Sequence, residues 1–385
     1  MKKILFACAG HQLNDERVTY KEACSLARLG YRVIVCGIAV PGFHEESLRL
    51  IDVDTLKDNA DTSVNAKNGG RFKRMLRLKN IRTLIIRERP DLVVAHEFET
   101  AFLAWTMRRR FRYVFDVHEC YEQTMHLIFP RMFQAVARGL LWRLYKSIIR
   151  GSCGLTVATP GCAAYSYALE LGLPCVVLHN SPILTYFPFR DEEAAIPIIV
   201  HDGNLTFERG ALEILDAVSM LKEKHKFRLM LLGSIPAVVK VHVERKIEEL
   251  ELREFVDMRG RLPWTEFGAV EASGQIGLIC SQPVPNHMLG LPNKLYNYMA
   301  CGLAVLAMKG STCGELVEAC KCGILAEPAD AKSIATALEW LIEHPEDRRE
   351  MALNGRKAVE EQYCWERMES TMKDFYGRMF VQAAV

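Results

Sequence analysis

The chain has 385 residues, half of them hydrophobic and a quarter charged, with a formal net charge of +2. That size and balance suit two globular domains of ordinary size with ample core. No run of about 18 apolar residues is present to span a bilayer, and 13 cysteines, an odd number without paired spacing, point away from a disulfide framework.

These features predict a cytoplasmic protein, soluble or peripheral at the inner face of the membrane. Cys320-x-Cys322 lacks the His or Cys partners that would complete a zinc site. The charge is uneven: residues 1–190 carry 27 Lys+Arg against 17 Asp+Glu, and the remainder 22 against 30. A basic half joined to an acidic half directs the first half toward an anionic partner or surface.

Ile4 to Ala9 reads as a buried strand. Its apolar run is too short for a signal peptide and leads straight into Gly10-His11-Gln12. Asp15 to Leu29 is a helix closed by Gly30, and Tyr31 to Ile38 a second strand, which predicts a parallel sheet. Gly10 ends the first strand, where such folds hold ligands. The absence of G-x-G-x-x-G argues against a nicotinamide cofactor.

Lys67 to Arg89 holds nine basic residues and one acid, Glu88, interleaved with Met75, Leu76, Leu78, Ile81, Leu84, Ile85 and Ile86. Arg108-Arg109-Arg110 and the segment Arg131 to Arg150, with Trp142 and Tyr145, continue the pattern. Basic amphipathic helices suit an anionic membrane surface. The alternative is a core-facing helix with a solvated cationic face. Nucleic-acid motifs are absent. Pro90 to Glu97 and Tyr113 to Val117 are further strands, and His96 and His118 stand at their carboxyl ends. Leu155 to Ala158 and Cys175 to Leu178 follow. His179-Asn180-Ser181-Pro182, with Pro188 and Pro197 beyond, reads as a linker.

The second half repeats the strand, glycine turn and helix pattern. Ile198 to Val200 leads through His201-Asp202-Gly203-Asn204 and Arg209-Gly210 to a helix from Ala211 to Leu221. Phe227 to Leu232 and Val256 to Arg259 are strands, the latter followed by Gly260-Arg261-Leu262-Pro263. Leu291 to Ala307, LPNKLYNYMACGLAVLA, is a turn, a short helix (Lys294 to Ala300), a Cys301-Gly302 stop and a buried strand (Leu303 to Ala307). A lysine in a first helical turn is unfavourable unless an anion joins it, so Lys294 suggests a phosphate. Taken alone it fits a surface lysine on a connecting helix better. Asp330 caps a helix from Ala331 to Glu343, and Trp365 precedes the last helix.

The run Pro-Asn-Lys-Leu-Tyr-x-Tyr-Met-Ala-x-Gly-Leu resembles the nucleotide-sugar signature of family 4 glycosyltransferases, and the likeness extends over nearly the whole chain. It implies an α/β GT-B fold: two Rossmann-like domains whose parallel sheets face across a cleft, with a C-terminal helix crossing back. Residues 1–182, with about 367–385, would bind the acceptor, and 183–366 the nucleotide sugar. The implied function is a retaining transfer from a nucleotide-diphosphate sugar to a glycan, lipid-linked or small-molecule acceptor in polysaccharide or glycoconjugate synthesis. It calls on no cofactor and no metal.

By the same resemblance, His118 and Glu119 are the catalytic candidates. Gly10, Gly203, Asn204, Arg209, Arg261, Leu289, Lys294 and Asn297 are the donor-binding ones. The family commonly carries a cation where Asn204 stands, and glutamates where Leu289 and Asn297 stand. Glutamate at 297 would then add an acceptor and tighten nucleotide binding several-fold. Two alternatives remain at this level, a nucleotide-sugar epimerase and a catalytically silent GT-B scaffold, and the three departures favour the latter.

Overall fold

The computed structural model describes residues 1–58, 71–118, 121–124, 130–191 and 194–381. They form two compact units, Met1–His179 with Met368–Val385, and Asn180–Arg367.

The first unit is built on a seven-stranded sheet: β1 (Lys3–Gln12), β2 (Arg32–Ile38), β3 (Arg49–Asp52), β4 (Leu92–Ala95), β5 (Tyr113–Val117), β6 (Gly154–Val157) and β7 (Cys175–Val177). The strand order is β3-β2-β1-β4-β5-β6-β7, and every pairing is parallel. Strands covered on both faces must be apolar throughout, and Ile4 to Ala9 are buried without a break. The order reverses at β1 and β4, so the loops after those two strands flank the crevice where ligands collect in such sheets.

The helix Arg71–Glu88 turns Ile81, Leu84 and Ile85 into the core and leaves Met75, Leu76 and Ile86 exposed. One of its cations departs from the expected solvated face. Arg77 is buried, with a bidentate bond to Asp54 (2.7 and 2.9 Å) and a third to the Ala9 carbonyl (3.1 Å). Lys67 lies outside the described residues. The final helix, Trp365–Val381, brings Phe375 and Met379 against Gly154 of β6, a position with no room for a side chain.

The second unit carries six parallel strands: β8 (Ile198–Asp202), β9 (Arg228–Leu232), β10 (Val256–Gly260), β11 (Ile276–Leu278), β12 (Ala304–Met308) and β13 (Gly323–Ala326). Their order is β10-β9-β8-β11-β12-β13, with the reversal at β8 and β11. The helix Asn293–Cys301 is buried along its length from Lys294 onward. It sits where a Cβ on Gly277 of β11 would overlap the Tyr298 ring. The Tyr298 hydroxyl accepts the Asp202 N–H at 2.8 Å and lies 3.2 and 3.3 Å from the Val200 and Leu278 carbonyls. One helix residue thereby ties together the two strands that flank the reversal. The following strand starts one residue later than the sequence suggests, at Ala304. Among the described residues no helix is long and apolar enough to cross a membrane.

Candidate functional site

In the second unit the reversal point holds most of the expected donor-binding residues. Gly203 takes a left-handed φ of +88° just past β8, and a Cβ there would lie 3.6 Å from Arg209 Nη1 and 4.0 Å from Lys294 Cε. Two cations from separate elements therefore converge on one glycine. Arg209 reaches back to donate to the Asn204 carbonyl (3.1 Å), and Ser234 donates to Asn204 Oδ1 (3.2 Å). Asn204 thus braces the loop in place of a further cation. Gly233, after β9, has a φ of +124°, and a side chain there would overlap the Gly203 carbonyl.

Lys294 is only 8% exposed. It occupies the first turn of a helix whose N-terminus no side chain caps, so the N–H groups and the dipole there face the same region. Its Nζ lies 3.4 Å from His201 Nε2. Burial pulls the ammonium down to about 8, Asp202 working against that and Arg209 with it. Burial and the two cations hold His201 well below its usual range. A neutral His201 accepts from the lysine through Nε2. Asp202 and Asn297 complete the cluster, with Asn297 Nδ2 donating to Asp202 Oδ2 at 3.4 Å.

The other two candidates in this unit come from neighbouring segments, and Arg261 directly follows Gly260, whose carbonyl accepts the Gly233 N–H at 2.7 Å. Arg261 is exposed just beyond β10, the edge strand, and Leu289 is half-buried at the end of the short helix Pro285–Leu289.

The first unit gathers a second polar cluster at the carboxyl ends of β1, β4, β5 and β6. Asp116 is its hub. It accepts from Arg17 Nη2 (2.9 Å), Thr156 Oγ1 (2.6 Å), His118 Nε2 (2.5 Å) and His96 Nδ1 (3.1 Å). Burial pulls His118 down to about 4, with Asp116 working against it and Arg17 and His11 with it. It is therefore neutral at pH 7 with its proton on Nε2 and a lone pair on Nδ1. His96 is fully buried and stacks on Phe6 at 4.9 Å, which makes it a support for His118. His96, Asp116 and His118 also present donor atoms within 4.8 Å of one another, a spacing that could take a cation; in this structure Arg17 already supplies the positive charge on Asp116.

His11, with its ring centroid 5.0 Å from that of His118, behaves oppositely. Burial lowers it, but the bond to Asp15 (2.9 Å) and nearby carboxylates raise it to about 9. A neutral and a charged imidazole stand side by side. The Gly10 N–H donates to Glu97 Oε1 (2.7 Å) and the Ala9 N–H to Glu97 Oε2 (3.0 Å). The amide expected to face a donor is thus already engaged, and Arg74 lies over the glycine. Glu119 falls outside the described residues.

Two family models match the chain in succession. "Glycosyl transferase 4-like domain" covers residues 16–180 and "Glycosyl transferases group 1" covers 189–358. The chain belongs to the family 4 type of glycosyltransferase. It is 32% identical over 159 residues to the putative colanic acid biosynthesis glycosyltransferase WcaL of Escherichia coli (strain K12), covering 40% of this chain and 39% of that one. The chain spans about two fifths of the length of the curated relatives it matches. In three dimensions it is similar to sucrose-phosphate synthase from Thermosynechococcus elongatus, with a TM-score of 0.77 at 16% identity over 99% of this chain and 100% of that one. Anabaena Alr3699/HepE, solved with UDP-glucose, gives 0.70 at 15% over 98% and 100%. At such identity the likeness establishes the GT-B fold.

For this glycosyltransferase the sequence alone left Asp202, His201, Arg17 and Asp116 without roles. Asp202 had the clearest available signal: a carboxylate as the last residue of an otherwise apolar strand, directly before a glycine turn. Arg17 had none, since a basic residue early in a helix looks solvated until the tertiary fold buries it.

Proposed function

We propose that the chain is a retaining glycosyltransferase that moves a sugar from a nucleotide-diphosphate sugar to a glycan or lipid-linked acceptor in polysaccharide synthesis. The observation that carries the reading is the convergence of Arg209 and Lys294 on Gly203 beside an uncapped helix N-terminus. The leaving group is a nucleoside diphosphate, so the protein's main contribution is fixed positive charge where negative charge grows. Arg209 offers a planar fork for phosphate oxygens and Lys294 a point charge. The UDP-glucose complex of HepE supports a nucleotide sugar as donor, and the likeness to WcaL, a putative colanic acid biosynthesis glycosyltransferase, supports a polysaccharide product. In the first unit, His118 would hold the donor sugar or the acceptor hydroxyl through Nδ1, with Asp116 fixing its tautomer. Retention of configuration and independence of metal are parts of this reading that rest on the family. The test is incubation with UDP-, GDP-, ADP- and dTDP-sugars, watching for slow hydrolysis or transfer. Release of sugar from one donor, lost in Arg209→Ala, is the expected result, and inertness toward all four would leave the silent-scaffold alternative.

A specific observation also favours an anionic membrane as a surface for this chain. The segment Arg131–Phe133 and the helix Gln134–Gly151 expose Met132 (79%), Val136 (65%) and Leu140 (60%) along one side, beside Arg131 and Arg138. Apolar side chains flanked by arginines match a leaflet with anionic headgroups.

A further inference from the structure

The second unit carries a polar cluster well away from the donor-binding residues. The helix Ala331–Glu343 places Glu339 and Glu343 one turn apart at its C-terminal end, with no basic residue in that last turn. Like charges at this spacing repel, and the helix dipole disfavours anions at a C-terminus. Both carboxylates nevertheless converge on one nitrogen from another segment. His225 Nε2 lies 3.3 Å from Glu339 Oε1 and 3.6 Å from Glu343 Oε1, and the three donor atoms all fall within 4.8 Å of one another. A single N–H can point at only one of two oxygens, and both separations exceed the about 2.7–2.9 Å of a good charged hydrogen bond. They match the edge of a metal tetrahedron instead. Ligand bonds of about 2.0–2.2 Å set neighbouring donor atoms about 3.3–3.6 Å apart. His225 follows the helix Ala211–Ser219 and precedes β9, so the cluster sits at the amino end of that strand, opposite Gly233 at its carboxyl end.

We infer that His225, Glu339 and Glu343 form a site for a divalent transition ion of the zinc type, which staples the turn before β9 to the helix Ala331–Glu343. The site is independent of the nucleotide-sugar reading and takes no part in the proposed reaction. One imidazole with two carboxylates suits zinc, cobalt(II) or nickel, whereas calcium takes six or more oxygens. Three protein ligands leave a fourth position for water. Lys224 is the rival occupant, with its Nζ 3.0 Å from Glu339 Oε1. Its side chain is 65% exposed, so it can swing into solvent when a metal ion arrives. Bonds from Lys224 and His225 hold the Glu339 carboxyl below its usual range, which keeps that ligand oxygen ionised. A divalent ion offers both carboxylates more charge than the lysine does, and it engages Glu343, which the lysine leaves to His225 alone among the pairs seen here.

The test is calorimetry of the full chain with Zn2+, joined by visible absorption of the Co2+ form and thermal melts with and without Zn2+. The variants are Glu343→Gln, His225→Asn and Lys224→Ala. Glu343→Gln keeps the side-chain shape at a half-exposed position, and its melt without metal verifies that it folds. Wild type is expected to bind Zn2+, to melt higher with it, and to show the visible bands of tetrahedral Co2+ without a thiolate charge-transfer band. Glu343→Gln and His225→Asn should each weaken binding at least about tenfold and lose the rise in melting temperature. Lys224→Ala should bind about threefold more tightly, since it removes the competing ammonium. Every cysteine remains in all three variants, so undiminished Zn2+ binding in Glu343→Gln overturns the site. A thiolate band with Co2+, or no Zn2+ binding by wild type, overturns it equally. None of these outcomes touches the nucleotide-sugar reading, which fails only in its own assay with nucleotide sugars.

Discussion

Lys294 Nζ rests 3.4 Å from His201 Nε2, so a buried ammonium leans on an imidazole that its own burial, and then that ammonium, keep neutral. The arrangement gives the anion seat a pH dependence. Lys294 is held at about 8, below its ordinary 10.5. The depressed value means the charged form is strained when the seat is empty and relieved when an anion arrives. Binding of a nucleoside diphosphate should therefore take up protons near pH 8, and affinity should fall as pH rises through and beyond that value. Calorimetry in buffers of different ionisation heat will show it. Lys294→Ala should lose both the proton uptake and most of the affinity. A pH-independent affinity in wild type would remove Lys294 from the seat.

Removing one cation of the pair should be felt in ligand-induced stabilisation. A charged hydrogen bond is worth about 1.5 to 3 kcal/mol. Arg209→Ala and Lys294→Ala should each lose most of the rise in melting temperature that a nucleoside diphosphate produces in wild type. Thermal melts with and without ligand check this.

Asn297→Glu now carries a different expectation from the one that the sequence alone supports. Read as a sequence, glutamate at 297 adds an acceptor and tightens binding. In the structure Asp202 Oδ2 already lies 3.4 Å from the Asn297 amide nitrogen. A glutamate would bring two buried carboxylates together, and one must then hold a proton. The variant should be less stable than wild type at pH 8, recover as pH falls, and bind nucleotide more weakly. Denaturant unfolding at pH 6 and pH 8 with calorimetry at both will decide.

In the first unit Asp116→Asn should be strongly destabilising. It leaves Arg17 buried with one anionic partner fewer, and breaking a buried pair typically costs about 3–5 kcal/mol. His11→Asn should show its effect through pH. The raised value of about 9 against the ordinary 6.5 means that the folded state binds the proton more tightly. The stability from His11 is complete below pH 6.5 and disappears as pH rises through about 9. The difference between wild type and His11→Asn in urea unfolding should therefore shrink over that window.

The exposed apolar side of the helix Gln134–Gly151 makes its own prediction. Wild type should sediment with vesicles rich in anionic lipid and be released by salt, and Val136→Asp with Leu140→Asp should abolish the sedimentation without changing thermal stability. Equal binding to neutral vesicles would show that the arginines play no part.

The sequence made the alternation of strands and helices legible because buried parallel strands must be apolar end to end, as in Ile4 to Ala9 and Leu303 to Ala307. Lys294 drew notice because a lysine in a first helical turn conflicts with the dipole unless something anionic compensates, but its burial showed only in the fold. Gly10 was read for its position at a strand end, but nothing local reveals that Glu97, from another strand's end, occupies its amide. The same limit hid the Asp202–Asn297 pair. Positions 95 residues apart give no sign of contact until the fold brings them together. Arg77 illustrates the reverse error: surrounded by eight other cations in sequence, it looks solvated, yet it is the one that Asp54 holds in the interior.

The close approach of Gly233 to the Gly203 carbonyl, and of Gly210 to the Cys280 carbonyl, bears on how this molecule tolerates change over generations. No side chain fits at any crowded carbon of these loops, and each glycine has a positive φ as well, so drift at 210 and 233 is closed in every background. Asn204 is exposed, and the bond its Oδ1 accepts from Ser234 constrains it less than packing constrains the glycines. A saturation library scored for folded protein should be empty at those two glycines and densely populated at 204. New donor preferences would then emerge through the side chains around this frame, while the frame itself stays constant.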